Sequence, residues 1–169
     1  VEDGHTHIYI SYSYRRYYGD AHLAMKPNTF LLTTVLTLAG GSVFLNATPV
    51  ISEFMADNDT VLADEDGDFS DWIEIHNPDG SEVDLDGYFL TDKASNLDKW
   101  RIPAVTIPAG GYLVIFASDK DRSNPEAELH TSFKLPSNGG YLALVAPDAL
   151  TVLTDFGSTY PLQFEDQSY

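Results

Sequence analysis

From residue 49 onward, turn-forming clusters cut the chain into short apolar runs. No stretch keeps a helical period long enough to build a helix. The runs are "PVISEFMA" (49–56), "DWIEIHN" (71–77), "GYFLTD" (87–92), "KWRIP" (99–103), "GYLVIFAS" (111–118), "HTSFKL" (130–135), "GYLALVAP" (140–147) and "LTVLTDF" (150–156). They are rich in β-branched and aromatic residues, which suit a pleated, half-buried surface. Between them stand "NPDG", "PAGG", "SNPE", "PSNGG" and "APDA", whose residue types supply the backbone conformations of turns. Strands at this spacing, with no helices between them, predict an all-β sandwich or barrel. The chain has no cysteine. Its core must therefore hold the fold without disulfides, and thiolate metal sites and cysteine nucleophiles are excluded.

The hydrophobic fraction of 43% is enough for such a core. In residues 71–77, Ile73 and Ile75 share a face with Asp71, while Trp72, Glu74 and His76 share the other. This strand is expected to bury one side only. Residues 112–117, "YLVIFA", are apolar on both faces and predict a central strand covered on both sides. Burying Ile73, Ile75, Leu113, Ile115, Leu142 and Leu144 would contribute roughly 1.5–3 kcal/mol each.

The N-terminal quarter reads differently. Lys26 follows Met25 as a short positive region, Phe30 to Leu45 are uncharged and mostly apolar, and Ala47 offers a small residue at a cleavage point. The run is about 16 residues, short of the roughly 20 that a spanning helix needs. Residues 25–47 are therefore expected to be a secretory signal peptide. Residues 1–24 precede this natural start and read as upstream, mis-start sequence. Within them His5 and His7 form a weak metal pair, and Arg15-Arg16 lack the flanking pattern of a twin-arginine signal. The mature protein is expected to begin near Thr48, to be secreted or at the cell surface, and to have no membrane insertion after cleavage.

The formal charge of −17 lies in that mature part: residues 48–169 carry 6 basic and 23 acidic residues. So acidic a surface repels phosphate backbones, which argues against nucleic-acid binding. Cations, basic partners or a salty medium fit better.

The strand motifs, taken in order, resemble the lamin tail domain in its bacterial secreted form. The resemblance rests on "ISEFMA", "DEDGDFSDWIEIHNP", "VDLDGYFLTD", "KWRIP", "IPAGGYLVIFASDKDR", "HTSFKLPSNGGYLALVAPD" and "QFEDQSY", spanning about residues 50–169. It implies an immunoglobulin-like sandwich of two antiparallel sheets over residues 48–169. It also implies an accessory module of large exported or surface proteins. Neighbouring domains there include kinase-like domains related to a spore-coat protein, other sandwich repeats, nucleases or sorting segments. A similar module in nuclear lamins is a docking surface, although this chain lacks their coiled-coil rod and basic import segment. Its end at "EDQSY" leads to the expectation that it is the first domain of a longer protein.

The residues that could carry chemistry are few. No G-x-S-x-G, H-E-x-x-H or phosphate-cradling glycine loop occurs. His76 and His130 are the only histidines after residue 47, and nothing in their spacing brings them together. Both are read as surface residues. Asp64, Asp66 and Asp68 follow a D-x-D-x-D spacing that can point hard oxygens at one cation. With Asp71 they form a tentative calcium site, since calcium takes 6–8 oxygens. The helix–loop–helix calcium pattern itself is not met, because Gly67 is fourth and Ile75 stands where a bidentate Glu is required. The competing reading is a solvated acidic loop in which Asp68 or Ser70 bonds backbone amides. "SDKDR" (118–122) reads as an exposed turn of mixed charge. Trp72 and Trp100 read as packing residues before sugar platforms, and Asn58-Asp59-Thr60 matches a glycosylation acceptor.

These readings converge on a non-catalytic extracellular interaction or spacer module, with an unknown protein or glycan partner and further domains of its own chain. The alternative is a calcium-ordered carbohydrate- or protein-binding module. A carboxylate-based hydrolase is the third reading.

Overall fold

A computed structural model describes residues 48–169. The expected signal peptide and upstream segment, and the His5-His7 and Arg15-Arg16 pairs, lie outside the described residues. Among the described residues there is no helix, and none that could cross a membrane. Nine strands follow in order: β1 (Val50–Met55), β2 (Asp71–His76), β3 (Val83–Asp84), β4 (Phe89–Thr91), β5 (Trp100–Arg101), β6 (Thr106–Ile107), β7 (Tyr112–Ala117), β8 (Ala143–Val145) and β9 (Val152–Asp155). Every strand pair is antiparallel. One sheet has the order β1-β2-β7 and the other β5-β4-β8-β9, with β3-β6 as a small ribbon.

The two main sheets enclose one core. Ile51, Phe54, Ile73, Ile75, Leu113 and Ile115 from the first meet Leu90, Trp100, Leu142 and Leu144 from the second. Seven of the eight predicted strand runs hold strands of the first or second sheet inside their limits. The eighth, "HTSFKL", is no regular strand. It runs beside β7 through isolated bridges, Phe116 to His130 and Ser118 to Lys134. The alternation of residues 130–135 is real, but the segment is diverted into the turn after β7. Two strands were not visible in the sequence, β3 and β6. Each is two residues long and too short to show a period.

The expectation that β2 buries one side only is wrong. Trp72 and Glu74 are as buried as Ile73 and Ile75. The outer face is covered by the loop between β1 and β2: Met55, Trp72 and Phe116 form a second apolar cluster beneath Val61 and Leu62. A bulge between Ile51 and Glu53 in β1 turns Ser52 so that its hydroxyl reaches Oε1 of Glu74 at 2.7 Å, which satisfies one oxygen of a carboxylate on that covered face. The expectation that β7 is a central strand covered on both sides is met only in part. β7 is the last strand of its sheet, with isolated bridges to the 130–134 segment beyond it. Leu113, Ile115 and Ala117 are buried on one face, while on the other Tyr112 is exposed, Val114 is half-buried and only Phe116 is buried, under the loop.

Asn77 explains the end of "SDWIEIHN". It is fully buried, and its side-chain amide donates to the carbonyls of Ser81, Ile107 and Pro108 at 2.8, 3.1 and 3.0 Å. Its backbone N–H donates to Gly111. Through its side chain Asn77 thus joins the end of β2 to the β3-β6 ribbon, and through its backbone to the residue before β7.

Candidate functional site: an acidic loop filled by a lysine

The loop from 57 to 70 crosses the outer face of the first sheet, and its backbone turns around one buried carboxylate while Glu65, Asp66 and Asp68 stay exposed. Asp64 has no exposed side-chain surface. Its Oδ1 accepts from the amides of Asp66 and Asp68, both at 3.0 Å, and its Oδ2 accepts from the Ser70 hydroxyl at 2.9 Å. The turn closes by bonds from Gly67 N to Asp64 O and from Asp64 N to Asp68 O. It needs Gly67 at φ +83°, a left-handed conformation that glycine adopts without cost. "DEDGD" is therefore a built loop around Asp64.

Carboxylate oxygens of Asp64, Asp66 and Asp68 lie within 4.8 Å of one another. Lys120 sits among them. Its Nζ is 2.6 Å from Asp64 Oδ2, 2.7 Å from Asp66 Oδ2 and 2.9 Å from Asp68 Oδ2. Arg122 adds a second layer, with Nη1 on Glu65 at 2.9 Å and Nη2 on Asp66 at 2.8 Å. These two cations come from "SDKDR", read from sequence as an exposed turn. In the fold Asp119 and Asp121 adopt positive φ (65° and 52°) on either side of Lys120, conformations that Asp tolerates better than most residues. Their amides bond Phe133 O and Thr131 O, which pins the turn against the 130–133 segment and directs Lys120 at the loop. The only sequence signal for this pairing is that "DEDGD" and "SDKDR" are short runs of complementary charge.

The electrostatics follow from that geometry. Burial pushes the Asp64 carboxyl up, but the bonds from Lys120, Ser70 and the two amides outweigh it and hold it below the usual carboxylate range. Arg122 and then Lys120 bring Asp66 down to about 2. Partial burial pulls Lys120 down, and the carboxylates more than reverse this, so its ammonium is held protonated above the ordinary lysine range. Lys120 is thus a fixed cation in neutral solution, unsuited to act as base or nucleophile.

Asp71 is not brought to this cluster. Desolvation, with the neighbouring Asp57, raises it to about 6, against the amides of Asn58 and Leu135 and the charge of Lys134. Three of the four expected calcium ligands therefore converge, and Asp71 faces other groups.

The remaining sequence candidates are placed as follows. His76 stacks on Tyr112 at 4.3 Å, while His130 stacks on Phe116 at 5.3 Å. Four residues of β7 separate those positions, about 13 Å along a strand. The surface reading of His130 is wrong: it is fully buried, with Nδ1 2.8 Å from Ser118 Oγ. Both members of this Ser–His pair are buried, and desolvation holds the imidazole below its ordinary pKa. Trp72 and Trp100 are buried too, and Trp100 Nε1 donates to Asp121 Oδ1. Asn58 is also buried. Its amide donates to Leu62 O and Ser70 O at 2.7 Å each, so it is a brace of the acidic loop and closed to a glycan.

The family described as Lamin Tail Domain matches residues 44–158, about two thirds of the chain. The chain belongs to the lamin tail domain family. The sandwich is accordingly immunoglobulin-like, and the resemblance carried by the strand motifs is a family relationship. No curated protein matches the chain. In this lamin tail domain the acidic loop, Lys120 and Arg122 all fall inside the matched residues, while the last 11 residues fall beyond them.

Proposed function

We propose that this lamin tail domain is a non-catalytic interaction and spacer module of an exported protein, working outside the cell by presenting its loops and positioning neighbouring domains. The observation that carries the reading is the lysine-filled acidic loop on an immunoglobulin-like sandwich. The three converging aspartates among the described residues are used to fasten the loop to the turn that follows β7. Its carboxylates are engaged by a permanently charged cation instead of being poised for proton transfer. A net charge of −17 keeps such a surface soluble and favours cationic or weakly polar partners. The test is export and turnover together. N-terminal sequencing of the secreted chain should place its first residue near Thr48, and the chain should turn over no glycan, phosphodiester or peptide substrate. Turnover that Asp66→Asn abolishes would replace this reading with the carboxylate-based hydrolase.

A second reading is a calcium-ordered module for a glycan or protein partner. It is favoured by the convergence of the Asp64, Asp66 and Asp68 oxygens within 4.8 Å. Calcium there would have to displace the Lys120 ammonium and recruit further oxygens to reach its usual number. Calcium-dependent retention on a glycan or protein support, lost in Asp66→Asn, would select it.

A further inference from the structure

Beyond residue 158, where the family match stops, the chain continues to pack on the sandwich. Tyr160 is fully buried in the core. Its N–H donates to Gly140 O at 2.7 Å and its hydroxyl to Pro136 O at 3.0 Å. Gly139 and Gly140 make room for it. A Cβ on Gly139 would lie 2.8 Å from Tyr160 O, and one on Gly140 would lie 3.0 Å from the Tyr160 hydroxyl oxygen.

After this anchor the character of the chain changes. Leu162, Phe164 and Tyr169 are large apolar residues left exposed, and from 161 to 169 only Gln163 is buried. The segment is held by polar contacts. Gln163 N donates to Ser137 O, and Asp166 N donates to Asp57 O. The Asp166 carboxylate accepts from the amides of Asp59 and Thr60 at 2.8 and 2.9 Å and from the Thr60 hydroxyl. At the end, Tyr169 and Phe54 exchange two backbone hydrogen bonds, 3.2 and 2.8 Å, in the manner of paired antiparallel strands. Tyr169 also packs on the Phe54 and Phe156 rings.

Phe54 lies in β1, the terminal strand of its sheet. An unpaired edge offers N–H and C=O groups to any other strand, and proteins cover such edges. We infer that residues 161–169 are a strap, anchored at Tyr160, that guards the free edge of β1 and opens as a unit while the sandwich stays folded. Exposed backbone and little apolar burial are the marks of segments that open below the global unfolding free energy. The anchor and the strap differ in this respect on either side of residue 160. Opening would uncover the Phe54 backbone groups and the loop at 57–60.

Native-state hydrogen exchange on the full chain tests this without a variant. At low denaturant the amides of Phe54, Asp59, Thr60, Gln163 and Tyr169 should exchange together, well before that of Ile73 in β2. Asp166→Gly removes the carboxylate cap. Because Asp166 has φ +58°, glycine fits the backbone without strain. This variant should speed exchange of the strap set about tenfold or more while leaving Ile73 unchanged. If the strap amides exchange only with Ile73, in one global step, the strap is a fixed part of the sandwich and the inference is overturned. An unchanged Phe54 in Asp166→Gly overturns it equally.

Discussion

Replacing Lys120 with Met keeps most of the side-chain volume and removes the charge at the centre of the acidic loop. Three carboxylates then face one another, and Asp64, with no exposed side-chain surface, loses its nearest cation. Breaking a buried ion pair from one side costs about 3–5 kcal/mol. Two features of this site reduce that figure. The Lys120 side chain keeps a fifth of its exposure, and Asp64 retains Ser70 and two amides. A loss of about 2–3 kcal/mol is expected, in the range of one hydrogen bond to a charged group. For an ordered domain of this size it corresponds to a fall in midpoint on the order of 10 °C. Urea unfolding at neutral pH, followed by tryptophan fluorescence, measures it directly, since Trp72 lies under the same loop. Asp64→Asn in the Lys120→Met background should recover part of the loss, because the uncompensated charge is then gone. A loss below about 0.5 kcal/mol would match an exposed surface pair and would refute the claim that Lys120 fastens the loop.

The other predictions concern separate groups. Asp71, raised to about 6, binds its proton more tightly folded than unfolded, so it adds stability as pH falls from about 7 toward 4. Asp71→Asn should raise stability at pH 7 and abolish that gain. His130, held below its ordinary range by burial, acts oppositely: its contribution is complete above about pH 6.5 and is lost as pH falls below it. In the Asp71→Asn background stability should therefore decline between pH 7 and 5, which urea midpoints at four pH values would show. Asn77→Ala leaves three carbonyls without their shared donor and should cost about 1–3 kcal/mol, with enhanced hydrogen exchange in β3 and β6.

The class of fold was readable because alternation and turn chemistry repeat along the chain, and because neighbouring motifs such as "SDWIEIHNP" and "PAGGYLVIFAS" belong to one family. The faces of β2 were only half readable. Glu74 and His76 make its outer side look wet, and nothing local shows that a loop 57–70 folds over it or that a bulge at Ser52 brings a hydroxyl to Glu74. The site was legible as three aspartates but not as a structure. Lys120 is more than 50 residues away in sequence from each of them, and its delivery depends on two left-handed aspartates and on the path of residues 130–133. A local pattern cannot report a partner brought in by tertiary packing. The same limit hid the burial of His130, since "LHTSF" reads as an ordinary strand end.

The most direct test of the account is thermal unfolding of the full chain in calcium, in magnesium and in chelator, at matched ionic strength. A ligand that binds only the folded state stabilises it by roughly 2.7 kcal/mol at a hundred times its dissociation constant. If Lys120 already supplies the loop's cation, the midpoint will be the same in calcium as in magnesium, and chelator will not lower it. A calcium-specific rise, absent from Asp66→Asn, would contradict the account and make the loop a metal site.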